Sequence, residues 1–180
     1  MRAGGSRRKG HDFELQVAKT LSKWWGEEKS FSRTPLSGGW RRLSGMKEVE
    51  GYVSGDLVCP KDFPFVVECK KVESFQWQSL LFSYETSEFK KWYKHCLKEA
   101  VAVNKVPMIV FSKNRWKPVC CLEKKFYEKL HINTNVFTFS CRENGTRLEL
   151  VFFLLKDFVE QVLRDNLVAE FNMENKNGRM

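Results

Sequence analysis

The chain lacks any C-x-x-C pair among its six cysteines (Cys59, Cys69, Cys96, Cys120, Cys121 and Cys141), and no secretory leader is expected ahead of them. A disulfide framework and a cysteine-based zinc site are therefore disfavoured, and the thiols read as reduced core residues. Histidine is scarce: His11, His95 and His131 are scattered, and none sits at ligand spacing from another. They are expected to be structural or exposed, with no catalytic role. No apolar stretch approaches the length that spans a bilayer, since the longest, Leu150 to Leu155, is only strand-sized. A soluble, intracellular and cytoplasmic protein with no membrane partner and no small-molecule cofactor is expected. There is no internal repeat. Acidic residues are outnumbered by Lys and Arg, 22 to 31, for a net charge of +9. That imbalance favours a polyanionic partner such as nucleic acid, with simple solubility as the alternative.

At 180 residues the chain suits one domain. Residues 1–10, rich in Gly, Arg and Lys, read as a flexible basic arm, and 11–180 as the domain itself. Apolar residues at Phe13, Val17, Leu21 and Trp24, widened by Leu15, Ala18 and Trp25, predict a helix that Gly26 ends. Glu14 lies at the edge of that stripe, so it can point along a helix–sheet seam. Ser30 to Thr34 reads as a short strand. Ser87 to Asn104 is helical by its Phe89, Trp92, Tyr93, Cys96, Ala100 and Val103 stripe. Pro107 to Ser112 is a buried strand that Lys117 to Leu122 can join. Asn135 to Cys141 and Thr146 to Leu155 flank Glu143-Asn144-Gly145 as a hairpin. Lys156 to Leu167 reads as one helix and the end from Asn172 as frayed.

Between these lies the most informative segment. Val53 to Cys59 and Phe63 to Lys71 read as strands joined at Pro60-Lys61-Asp62. An antiparallel hairpin centred near Asp62 would pair Asp56 with Glu68, Val58 with Val66 and Pro60 with Pro64. Facing carboxylates are unfavourable unless a cation lies between them, and hard oxygen ligands suit Mg²⁺, or Mn²⁺. Strand alternation sets Lys70 on the same face as Glu68. The competing interpretation is a solvated strand face whose ion pairs contribute little. Arg41, Arg42, Lys47 and Lys71 are candidates for contacts to a nucleic-acid backbone.

The order Lys9-Gly10, Glu14, Arg33, Ser37-Gly38, Gly55-Asp56, Glu68-Cys69-Lys70 resembles the PD-(D/E)XK nuclease superfamily, and most closely the archaeal and phage type of Holliday junction resolvase. The match runs over about residues 9–71, more loosely to Lys113, and leaves 123–180 outside. Gly55 stands where the motif has proline. The resemblance implies an α/β, restriction-endonuclease-like core, a central mixed β-sheet flanked by helices, over 11–113. An extra C-terminal β-hairpin and helix would occupy 123–170. It implies Asp56, Glu68 and the main-chain carbonyl of Cys69 as metal ligands, Glu14 reaching the ion through water, and Lys70 acting on the attacking water. Arg33, Ser37 and Gly38 would lie near the scissile phosphate, with Ser37 counted among the catalytic residues. The implied activity is divalent-metal-dependent hydrolysis of DNA phosphodiesters in recombination, repair or phage DNA processing, by a homodimer acting on branched DNA. Cleavage of linear, flap or single-stranded DNA by the same core, and a catalytically silent DNA-binding module, are the alternatives.

Overall fold

Alternation along the strands divides the apolar residues between two faces of one sheet. The computed structural model describes residues 4–34, 54–143 and 145–176, with side chains from 8 to 171. Five strands, β3 (Phe65–Val72), β4 (Val106–Lys113), β5 (Val119–Glu123), β6 (Phe137–Glu143) and β7 (Thr146–Leu154), form a sheet in the order β3-β4-β5-β7-β6. β3 and β4 are parallel over eight residue pairs from Phe65↔Val106 to Val72↔Lys113, and the remaining pairs are antiparallel. Phe65, Val67 and Cys69 face one core with Met108, Val110 and Phe153. Val66, Ile109, Phe111 and Phe152 face the other.

The first core is covered by α1 (Gly4–Trp25), whose Phe13, Val17, Leu21 and Trp25 recur every fourth residue and are all buried. This helix begins at Gly4 rather than near His11. Gly26 ends it as expected, with φ +86° and its N–H donating to Ser22 O at 3.2 Å. Leu15 departs from the expected stripe and is exposed. The second core is covered by α2 (Trp77–Ser83) and α3 (Glu88–Ala102), through Leu80, Phe89, Tyr93, Cys96 and Ala100. Ser87 caps α3 by accepting the Lys90 N–H.

A short α4 (Lys124–Tyr127) follows β5, and two helices close the chain on the α1 face, α5 (Leu155–Gln161) and α6 (Arg164–Lys176). Sequence reasoning expected one helix over 156–167. It is interrupted at Val162 and Leu163, where the Val162 carbonyl accepts the Trp24 indole N–H at 2.7 Å and Arg164 reaches the Trp25 carbonyl at 3.1 Å. α6 continues to Lys176, beyond the point where fraying was expected. The β6–β7 hairpin is not an appendage: β7 pairs with β5 from Val119↔Leu154 to Glu123↔Leu150, which places it inside the central sheet.

The hairpin predicted between 53–59 and 63–71 does not form among the described residues. β2 (Leu57–Val58) pairs antiparallel with β1 (Ser32–Arg33), in register Ser32↔Val58 and Arg33↔Leu57. Gly55 instead makes a lone parallel bridge with Val67. The predicted register would have set Pro60 against Pro64, two residues with no N–H for a ladder. The chain therefore crosses the open edge of β3 at one point. Gly55 has φ +78°, and a Cβ there would lie 2.4 Å from the Val67 carbonyl oxygen. Gly55→Ala combines a left-handed backbone cost of about 1–2 kcal/mol with that collision. It is expected to lower the midpoint of thermal unfolding and to displace Asp56; an unchanged melting curve would refute this account of the glycine.

Candidate active site

Edge strands leave backbone donors and acceptors that must find partners, and on β3 the segment around Asp56 supplies them. The Asp56 N–H donates to the Val67 carbonyl at 2.9 Å, and Asp56 Oδ2 accepts the Cys69 N–H at 2.8 Å. The Asp56 carbonyl in turn accepts the Thr34 N–H at 3.0 Å, and Thr34 Oγ1 donates to the Gly55 carbonyl at 3.2 Å, which ties the β1–β2 ribbon to this edge. Because a strand residue's N–H and C=O point to the same side, the Cys69 carbonyl also points off the open edge.

The Lys70 ammonium bridges the two acids, 3.4 Å from Asp56 Oδ2 and in contact with Glu68 Oε1. Glu68 is 3 % exposed, and Asp56 and Glu14 are each 8 % exposed. Glu14 accepts from Arg33 Nε at 2.6 Å, and Arg33 Nη2 donates to His11 Nε2 at 3.0 Å. Four of the residues expected to act together, Glu14, Asp56, Glu68 and Lys70, thus meet at the edge of β3. The antiparallel register assumed for them was wrong; the meeting comes from Asp56 folding its side chain onto Cys69. Arg33, expected at a phosphate, is engaged by Glu14. Lys71 lies on the α1 face, its ammonium 3.2 Å from Ser112 Oγ and 5.5 Å from the centre of the Phe13 ring. Ser37, Gly38, Arg41, Arg42 and Lys47 lie outside the described residues.

Two residues were missed. His95, expected to be structural or exposed, is exposed but places Nδ1 3.4 Å from Glu68 Oε2. Its Nε2 lies 3.9 Å from Glu99 Oε1, and Glu99 Oε2 accepts the Gly55 N–H at 2.5 Å. Both come from α3, one helical turn apart, on the side of the apolar stripe where Cys96 and Ala100 meet the sheet. The available signal was this i, i+4 pairing, which carries no chemistry until a strand from elsewhere in the chain faces it.

Burial pushes the Glu68 carboxyl above its ordinary range, the Asp56 charge adds to this, and Lys70 opposes it. Glu14 is raised by burial and then by Asp56, against the pull of Arg33. Burial draws Lys70 down, but Asp56 and Glu68 outweigh it and hold the ammonium above its usual value. The Cys69 thiol is held far up by burial and then by the surrounding carboxylates, so Cys69 offers this site a carbonyl and not a thiolate. Carboxylate and carbonyl oxygens together are a donor set for a hard divalent cation. Asp56, Glu68 and the Cys69 carbonyl present oxygens of this kind beside Lys70.

A family model described as "Phage putative PDDEXK endonuclease" matches residues 5–169. The chain belongs to that family. The match extends well past residue 123, so the C-terminal hairpin and helices that sequence reasoning had set outside the resemblance lie within the family's common extent. The chain is also similar to Protein D14 of Escherichia phage T5, at 29 % identity over 122 residues, covering 66 % of this chain and 71 % of that protein. No solved structure matches at comparable stringency. PD-(D/E)XK endonucleases typically use a divalent metal, and membership implies a DNA substrate. Among the described residues, no helix is long and apolar enough to cross a membrane.

The raised carboxyl of Glu68 makes a stability prediction. A group whose folded pKa exceeds its unfolded one contributes stability that is full below the unfolded value, near pH 4.5, and is lost as pH rises through the folded value. In EDTA the protein should therefore lose stability from about pH 4.5 upward through this group. Glu68→Gln should raise the melting temperature at pH 8 in EDTA, by about 2–4 °C for a gain of about 1 kcal/mol in a chain of this size. It should also abolish the further rise that Mg²⁺ gives the parent. Scanning calorimetry with and without Mg²⁺ reads both effects, and a drop in EDTA would contradict this electrostatic account.

Proposed function

We propose that the protein is a Mg²⁺-dependent DNA endonuclease, with Mn²⁺ as a substitute ion, that acts on branched DNA such as four-way Holliday junctions. The observation that carries the reading is the Lys70 ammonium lying between two buried carboxylates, Asp56 and Glu68, on an open strand edge. Two acids with one lysine between them are a costly way to stabilise a fold, and an intelligible one for holding a cation. Asp56, Glu68 and the Cys69 carbonyl would hold the ion, with Glu14 acting through a water. Such an ion would polarise a phosphoryl oxygen, acidify a bound water and stabilise the leaving 3′ oxygen.

The chain's own groups do the rest. Because its carboxylate neighbours outweigh its burial, Lys70 remains an ammonium. It would orient or activate the attacking water and offset charge growing on phosphorus. Arg33, with Nε on Glu14, fixes that carboxylate toward the cluster. Ser37, Gly38, Arg41, Arg42, Lys47 and Lys71 are assigned to phosphate contacts, which position DNA without reading its sequence. The net charge of +9 favours a polyanion at the surface around a locally acidic centre. Action as a homodimer follows from the substrate: symmetric nicking of a four-way junction needs two centres related by a two-fold axis.

Purified protein with Mg²⁺ on four-way, flap and linear duplex DNA tests this. The parent should nick the four-way substrate symmetrically and leave linear duplex intact. Asp56→Asn and Lys70→Ala should each lose at least about 10²-fold in rate while still binding DNA. Equal cutting of all three substrates would remove the junction assignment. Activity equal to the parent in both variants would remove the site.

A further inference from the structure

We propose that Glu68, His95 and Glu99 form a second divalent-cation site, which shares Glu68 with the Asp56 site and prefers Mn²⁺ or another transition ion to Mg²⁺. One ligand atom from each of the three lies within 4.8 Å of the other two. The set is drawn from two elements. Glu68 comes from β3, while His95 and Glu99 stand one turn apart on α3, on the side that faces the strand.

The orientation of Glu68 is the second observation. Its Oε1 is turned to Lys70 on the Asp56 side, and its Oε2 to His95 Nδ1 at 3.4 Å. One buried carboxylate thus turns one oxygen to the side where Lys70 and Asp56 lie and the other to His95, so that two ions could share it. Glu99 is held in place beside it: Oε2 accepts the Gly55 N–H and Oε1 is turned toward His95. A ligand carboxylate fixed by a backbone hydrogen bond is the usual support around a metal centre. The Gly55 N–H that fixes Glu99 belongs to the residue before Asp56, so both ends of the cluster depend on two consecutive residues. The His95 side chain is 59 % exposed, which gives an ion entry from the α3 side without passing Lys70.

The donor set decides the ion. Mg²⁺ favours an all-oxygen octahedron, whereas an imidazole nitrogen raises affinity for Mn²⁺, Co²⁺ and Zn²⁺ relative to it. The Asp56 site, all oxygen, suits Mg²⁺; the His95 site suits the others.

The proposal rests on Glu68 being a metal ligand, as in the nuclease reading. It is tested with tag-free full-length protein stripped with EDTA and titrated with Mn²⁺. Free Mn²⁺ is counted by electron paramagnetic resonance, and nitrogen coupling to bound Mn²⁺ is read by pulsed methods. Two ions per chain with a nitrogen coupling are expected. His95→Ala should retain one ion and lose the coupling, whereas Asp56→Asn should retain the nitrogen-coupled ion. Glu99→Gln, which keeps an acceptor for the Gly55 N–H, should weaken that ion by at least about tenfold. Melting curves in EDTA confirm that each variant is folded. A single ion per chain in the parent, or a nitrogen coupling that survives His95→Ala, would overturn the proposal. DNA cutting without a nitrogen-coupled ion would refute this site alone, and a nitrogen-coupled ion without cutting would refute the nuclease reading alone.

Discussion

Everything at the candidate site depends on how the open edge of β3 is completed. A strand with a free edge needs partners for its outward amides and carbonyls, and here they come from one residue. Asp56 supplies its own N–H to Val67 and its carboxylate to the Cys69 N–H. The side chain is thereby pinned beside Glu68 and Lys70, which the strand itself positions. The same hydrogen bond finishes a sheet edge and delivers an acid to the site, so fold and chemistry share a constraint here. Gly55 permits it, because any side chain there would strike the Val67 carbonyl.

The electrostatics show what that placement costs. Glu14 and Glu68 are buried near Asp56, and both are held above their ordinary range by burial first and by the neighbouring charge second. A fold optimised for stability alone would replace such groups with neutral or apolar ones, as buried ion pairs elsewhere tolerate. Their presence beside an ammonium and a guanidinium is what the proposed cation site would explain. Evidence of a different kind agrees, since the family model places the chain among PD-(D/E)XK endonucleases.

Much of this was legible in the residues, for identifiable reasons. Strand alternation alone sets Glu68 with Lys70 and apart from Cys69, and the order of α1, β3 and α3 follows from their apolar spacing. The route by which Asp56 arrives was not legible. Turn residues between two apolar runs resemble a hairpin whether or not the runs pair, and Pro60 and Pro64 argue against the register only once it is written out. His95 and Glu99 escaped because their significance depends on the rotation of α3 about its axis over the sheet, a tertiary quantity set by Phe89, Tyr93 and Cys96 packing beneath it. Likewise nothing local to Arg33 in the sequence shows that Glu14 accepts its Nε. The C-terminal hairpin was found correctly but judged peripheral, since a local turn signal does not say which strand β7 will join.

The lone bridge at Gly55 has a consequence for how the chain can vary. In a true hairpin, the spacing of the two acids would be dictated by the number of residues in the turn, and a single insertion would send one of them to the opposite side. Here Asp56 is anchored from below by Cys69 and its neighbour from above by Glu99, and neither anchor passes through Pro60-Lys61-Asp62. That connection can lengthen or shorten while the acids stay together. A one-residue slip within β3 has no such tolerance, because it would exchange Glu68 and Lys70 for Val67 and Cys69 and leave a greasy, uncharged face beside Asp56.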